Sequence, residues 1–131
     1  MDIRFQAGRP SRWTADVVLS FVLEAGRVAH ACPELTERAP WLGIAPAWRD
    51  FRGHKGEFVM FYGPEAMEIS RVLGVGLGRA EKADMTAFRY AVGTALRRCR
   101  EYDLETVGVD GCSLARVAAR LGVDMAAIVR E

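Results

Sequence analysis

Three cysteines, two histidines and scattered acids are the groups that could do covalent or metal chemistry, and their spacing favours neither. His30 and Cys32 stand two apart and His54 stands alone, with no second donor pair at the intervals that zinc sites use. His54, between Gly53 and Lys55, reads as a solvated loop residue. Cys99 falls on the apolar stripe of a helix, Cys112 follows a turn glycine, and Ser113 is placed to cap a helix, so no base is assigned to any of them. Asp50 with Glu57, and Glu65 with Glu68, are spaced as acids of surface loops and helix faces. No catalytic residue, metal ligand or resident cofactor is expected within the chain.

Three features could bind without reacting. Gly76 and Gly78 follow a strand and precede a helix, a place where backbone amides can approach a phosphate, although Asp84 would set a negative charge near the anion. The arginines at 89, 97, 98 and 100 could meet nucleic acid. The tail from Val117 to Val129 has the rhythm of a helix, a glycine turn and a second helix, but that second helix is apolar, which suits packing better than DNA reading.

The elements that must hold these groups are read from periodicity. Residues 57–62 are apolar at five consecutive positions and stop at Gly63-Pro64, and residues 71–77 carry Val72, Leu73, Val75 and Leu77 before Gly78, so both read as central strands. Beyond Asp84, a predicted N-cap, Met85, Phe88, Val92, Ala95, Cys99 and Tyr102 recur at three- and four-residue intervals along one helix face. Residues 106–109 return as a strand, so the order is that of a crossover between parallel strands. Gly93 interrupts an otherwise good helix, and close approach of helix to sheet is the expected reason.

Upstream, Ile3 and Phe5 suggest an edge strand, and residues 16–23 an inner strand closed by Gly26. Trp41, Leu42, Ile44, Trp48 and Phe51 are expected to cover one end of the sheet, with a partner surface as the other reading of the two tryptophans. Ser113 is predicted to cap a helix carrying Leu114, Val117, Ala118 and Leu121, and Asp124 a second, short helix.

Size and charge bound the rest. At 131 residues the chain is one domain, with half its residues hydrophobic and a net charge of +1, which gives no overall field toward nucleic acid or anionic membrane. An odd cysteine count and a polar opening suggest a reducing, cytoplasmic setting, and no apolar run approaches the roughly 20 residues of a membrane helix.

Taken in order, Gly53-His54-Lys55-Gly56-Glu57, Val75-Gly76-Leu77-Gly78 at a strand end, and Ala91-Val92-Gly93 in the helix resemble the N-terminal domain of the leucyl (cytosol) aminopeptidase family. The resemblance covers roughly residues 16–110. It implies an α/β, macro-domain-like three-layer sandwich, its mixed but mostly parallel sheet carrying helices on both faces. It implies a non-catalytic assembly domain, residues 1–131, of a two-metal hydrolase whose zinc or manganese ions sit in a C-terminal domain expected to be missing from this chain. The implied partners are that catalytic domain and neighbouring subunits of a hexamer, with DNA contact known for some bacterial members. The alternative is a stand-alone macro-type module holding an ADP-ribose-like nucleotide near Gly76 and Gly78.

Overall fold

In the computed structural model the described residues are 2–3, 16–24, 39–44, 50–64, 69–109 and 111–121. The expectations for His30, Cys32, Phe5, Gly26, Trp48, Glu65, Glu68 and the helix after Asp124 lie outside them, as does the side chain of Cys112. Among the described residues five strands form one sheet in the order β1-β5-β2-β4-β3: β1 is Asp2–Ile3, β2 Val17–Glu24, β3 Phe58–Tyr62, β4 Arg71–Arg79 and β5 Thr106–Val109. All neighbours pair in parallel except β3, which runs antiparallel to β4. Among the described residues two α-helices, α1 (Met85–Glu101) and α2 (Gly111–Leu121), and two short 3-10 turns, Pro40–Ile44 and Ala80–Lys82, accompany it.

The period-two alternation of the inner strands sorts the core into two layers. Val17, Leu19 and Phe21 of β2, Leu73, Val75 and Leu77 of β4, and Val107 of β5 pack against Phe88, Ala91, Ala95 and Cys99 of α1 and Leu114, Val117 and Ala118 of α2. Val18, Val22, Val72 and Phe61 face the other way, onto Ala39, Leu42, Phe51 and Ile69. Leu42 and Phe51 therefore cover a face of the sheet, not its end. Trp41 is half-buried there, and its indole N–H donates to the Ile69 carbonyl at 2.9 Å.

Helix α1 starts as its sequence predicts: Asp84 Oδ1 accepts the Ala87 amide at 2.7 Å. It links β4 to β5, which flank β2 on opposite sides and run parallel to it, so the crossover passes over β2. The Phe21 and Phe88 rings lie 5.2 Å apart where helix meets sheet. Burial pushes the Cys99 thiol up to about 11, which leaves it protonated and unreactive at neutral pH. At the start of β2, Asp16 Oδ2 accepts the amides of Glu105 (2.9 Å) and Thr106 (3.1 Å), tying two strand starts together. The Glu105 amide and then the Thr106 amide hold its carboxyl below the usual carboxylate range.

Five further expectations are corrected. The run 58–62 is apolar on both sides because Phe58 and Met60 join the α1 layer and Phe61 the Phe51 layer, yet the strand is the last in the described sheet, not central. Strand β4 does not break at Gly78; it continues to Arg79 through a register shift opposite Val22 and Leu23. Tyr102, the C-cap of α1, lies 52% exposed, and Ala91 beside Val92 belongs to the buried stripe. Ser113 is no cap. It sits inside α2, where its Oγ accepts the buried Phe21 amide at 3.1 Å. Gly93 approaches nothing: a Cβ built on it meets no atom within 4 Å.

Candidate functional site

The GHKGE loop is built on an unusual strand face. The even positions of β4 run Val72, Gly74, Gly76, Gly78, so from residue 74 onward the face turned away from α1 has no side chains. The chain before β3 fills that space directly. At Gly74 an added Cβ would stand 2.9 Å from the rings of both Phe51 and Phe61, which meet edge to face at 5.7 Å. At Gly76 it would fall on the His54 carbonyl oxygen and come within 2.7 Å of the Gly53 carbonyl carbon. Gly78, at φ +83°, lies beneath Lys55 and carries the bulge.

Backbone bonds hold the loop on this stripe. The Gly76 amide donates to the Glu57 carbonyl at 2.8 Å and the Gly78 amide to the Gly53 carbonyl at 2.9 Å. The two amides considered for a phosphate are thus both engaged by carbonyls of the chain itself. Glu57 does the remaining work from inside the loop: its Oε1 accepts the amides of Arg52 (3.1 Å), Gly53 (2.9 Å) and His54 (3.1 Å). Its own amide donates to the His54 carbonyl at 2.9 Å, closing the turn. Far from being a free surface acid, Glu57 is the loop's internal anchor.

Outside this framework stand His54 and Lys55. The His54 ring is exposed yet partnered, with Nδ1 3.1 Å from Glu24 Oε2 at the end of β2. Beyond Gly78 the Arg79 guanidinium reaches the Glu81 carboxylate only at 4.0 Å, an exposed pair of little energetic weight. On α1, the Arg98 guanidinium lies 5.4 Å over the Phe58 ring and Arg97 donates to the Thr94 hydroxyl at 3.0 Å, so these two basic groups are occupied locally.

This arrangement can position, but the described part of it has no means to react. A nucleophilic site needs a base within hydrogen-bond reach of a thiol or hydroxyl; Cys99 is sealed in the core, and the Ser113 oxygen serves a strand amide. Among the described residues no three His, Cys, Asp or Glu side chains converge to hold a metal ion, and no helix is long and apolar enough to cross a membrane. The loop is pinned in place by bonds within the chain. Sequence reasoning missed Glu24, Phe51 and Glu57 as its supports. The signal for the seat was present as glycine at every second residue from 74 to 78.

Residues 24–129 match the family model described as the cytosol aminopeptidase family, N-terminal domain. A probable cytosol aminopeptidase of Nitratidesulfovibrio vulgaris is 45% identical over 118 residues, covering 90% of this chain and 23% of that protein. One of Desulfovibrio desulfuricans is 39% identical over 117 residues, covering 89% and 23%. The chain thus spans about a quarter of the length of the curated relatives it matches. Among solved structures, the macrodomain of Mycobacterium tuberculosis DarG aligns with a TM-score of 0.71 at 11% identity, over 98% of this chain and 86% of that one. The bottromycin maturation enzyme BotP aligns with a TM-score of 0.55 at 24% identity, over 89% and 21%. At such identities these likenesses establish the fold, a macrodomain-like α/β sandwich.

Proposed function

Because the chain belongs to the cytosol aminopeptidase family, as its N-terminal domain, we propose that it is the non-catalytic assembly part of a cytoplasmic two-metal aminopeptidase. The observation that carries this reading is the match of residues 24–129 to that domain, in relatives about four times as long. The parent enzyme would release N-terminal amino acids from peptides, with zinc or manganese polarising the scissile carbonyl and supplying the attacking water. The metal ligands belong to the remaining three-quarters of such a protein. The described residues here offer no donor set that fits a metal pair, so no step of the reaction is assigned to this chain.

Within that enzyme the domain's task is mechanical. The pinned 53–57 loop supplies a fixed contact surface toward the catalytic domain or a neighbouring subunit, with Glu57 and the glycine stripe setting its shape before any partner arrives. Preorganisation of this kind lowers the entropy lost on docking.

The test is a pair of assays. The 131-residue chain alone should hydrolyse no leucine p-nitroanilide with or without added manganese or zinc, and the full-length gene product that carries it should be active and oligomeric. Removing residues 1–131 from that product should lower its oligomeric mass by light scattering. Metal-dependent hydrolysis by the chain alone would overturn the reading.

A further inference from the structure

Edge strands of soluble proteins are usually guarded by charge, proline, a bulge or shortness, because an open row of backbone donors and acceptors pairs with other chains. The sheet's two edges differ in this respect. β1 is guarded by its length of two residues. β3 reads Phe58-Val59-Met60-Phe61-Tyr62, with no charge and no proline, and its register with β4 is unbroken along its whole length. Among the described residues no strand pairs with its outer side.

The hydrogen-bond phase of that outer side follows from the inner one. The Glu57 carbonyl accepts from Gly76, and the Gly63 amide donates to Ser70, so the odd-numbered residues of this segment bond to β4. Phe58, Met60 and Tyr62 therefore turn their N–H and C=O groups outward. Their side chains share the α1 side of the sheet, where Phe58 and Met60 pack into the core and Tyr62 is left 59% exposed.

We propose that this edge pairs with the same edge of a second copy of the chain, antiparallel about a two-fold axis at Met60. The phase admits a second copy as occupant. A two-fold axis at Met60 sets Met60 opposite itself and Phe58 opposite Tyr62, so every outward donor and acceptor meets a counterpart and none is left over. An uncharged strand is also complementary in charge to its own copy, whereas it gives a charged partner nothing to pair with. The exposed Tyr62 ring then covers the partner's Phe58, whose counterpart here already lies beneath the Arg98 guanidinium. The pairing deepens the assembly role above and rests on it only for the expectation that this domain self-associates. Peptidase assays test that role, and the measurements below use the chain alone, so the two can fail separately.

Light scattering of the 131-residue chain should find a species of twice 14.5 kDa that dissociates on dilution. Tyr62→Lys places a charge in both symmetry-related aromatic pairs and should weaken the dimer about tenfold. Tyr90→Lys, at a tyrosine 63% exposed on α1, should leave it unchanged. Met60→Cys gives a positive signature. Directly opposed residues of a hydrogen-bonded antiparallel pair have α-carbons about 5.5 Å apart, within disulfide reach. Mild oxidation should therefore yield a covalent dimer on a non-reducing gel above the wild-type background set by Cys32, Cys99 and Cys112. Tyr62→Cys, opposite Phe58 and not itself, should not. A monomer at every concentration, or a dimer indifferent to Tyr62→Lys, overturns the proposal.

Discussion

The two faces of β4 are covered by opposite means. Leu73, Val75 and Leu77 meet α1 and α2 through side chains, while Gly74, Gly76 and Gly78 meet Phe51 and the 53–57 loop, largely backbone against backbone. Side-chain packing can absorb modest changes of volume by shifting rotamers, whereas a carbonyl lying on a Cα has nowhere to go. The helix face should therefore be tolerant and the loop face exacting, even though one strand supplies both. Substitutions at four positions test that contrast.

The largest effect is expected at Gly76. Its Cβ position is taken by the His54 carbonyl, so Gly76→Ala must lift the loop and break the Gly76–Glu57 and Gly78–Gly53 bonds. A loss of about 3 kcal/mol is expected from urea unfolding. An unchanged midpoint would mean that the loop slides easily and that the contrast between the faces is false. Glu57→Ala removes the acceptor shared by three amides, and because the loop is partly solvated the expected loss is smaller, about 2 kcal/mol. Glu57→Gln, which keeps one carbonyl oxygen, should recover part of it. Faster amide exchange at Arg52, Gly53 and His54 in Glu57→Ala would locate the damage.

The same contrast explains what was legible in the sequence. The α1 stripe was readable because Phe88, Ala95 and Cys99 repeat with the helical period; it missed Ala91, one step around the helix from Val92, and ran one residue too far, onto the C-cap Tyr102. Strand β2 and its neighbours were readable because side chains of one kind alternate or run on. An apolar run reports covered faces and says nothing of edges, so β3 was placed in the middle of a sheet it borders. The loop face was harder still. Its bonds join a carboxylate and glycine amides to backbone atoms, and such atoms carry no sequence signature. The glycines at 76 and 78 did signal close backbone approach, but sequence cannot tell a carbonyl of the chain from a phosphate oxygen. The family resemblance, carried by those same glycine-rich motifs, was confirmed over residues 24–129.

One polar group makes the helix face exacting at a point. Among the described residues Leu19 is the last of β2 with a partner in β5, and the Phe21 amide beyond it donates to the Oγ of Ser113, a residue 2% exposed. Ser113→Ala should leave that donor buried and unpaired, at about 1.5 kcal/mol. Ser113→Thr keeps the oxygen and should lose less. If alanine and threonine behave alike, the bond matters less than the space.

The smallest effect has the opposite sign. Gly93 lies in the middle of α1, and the sequence argument had it there so that helix and sheet could touch; the structure leaves its Cβ position open. With no contact to lose, only the backbone term remains. Alanine in a helix interior is favoured over glycine by about 1 kcal/mol, because glycine loses more conformational freedom on folding. Gly93→Ala should therefore raise the melting temperature, whereas Gly76→Ala lowers it. A fall on Gly93→Ala would mean that α1 sits closer to its surroundings than the open Cβ position shows, and that backbone approach governs the helix face of β4 as well.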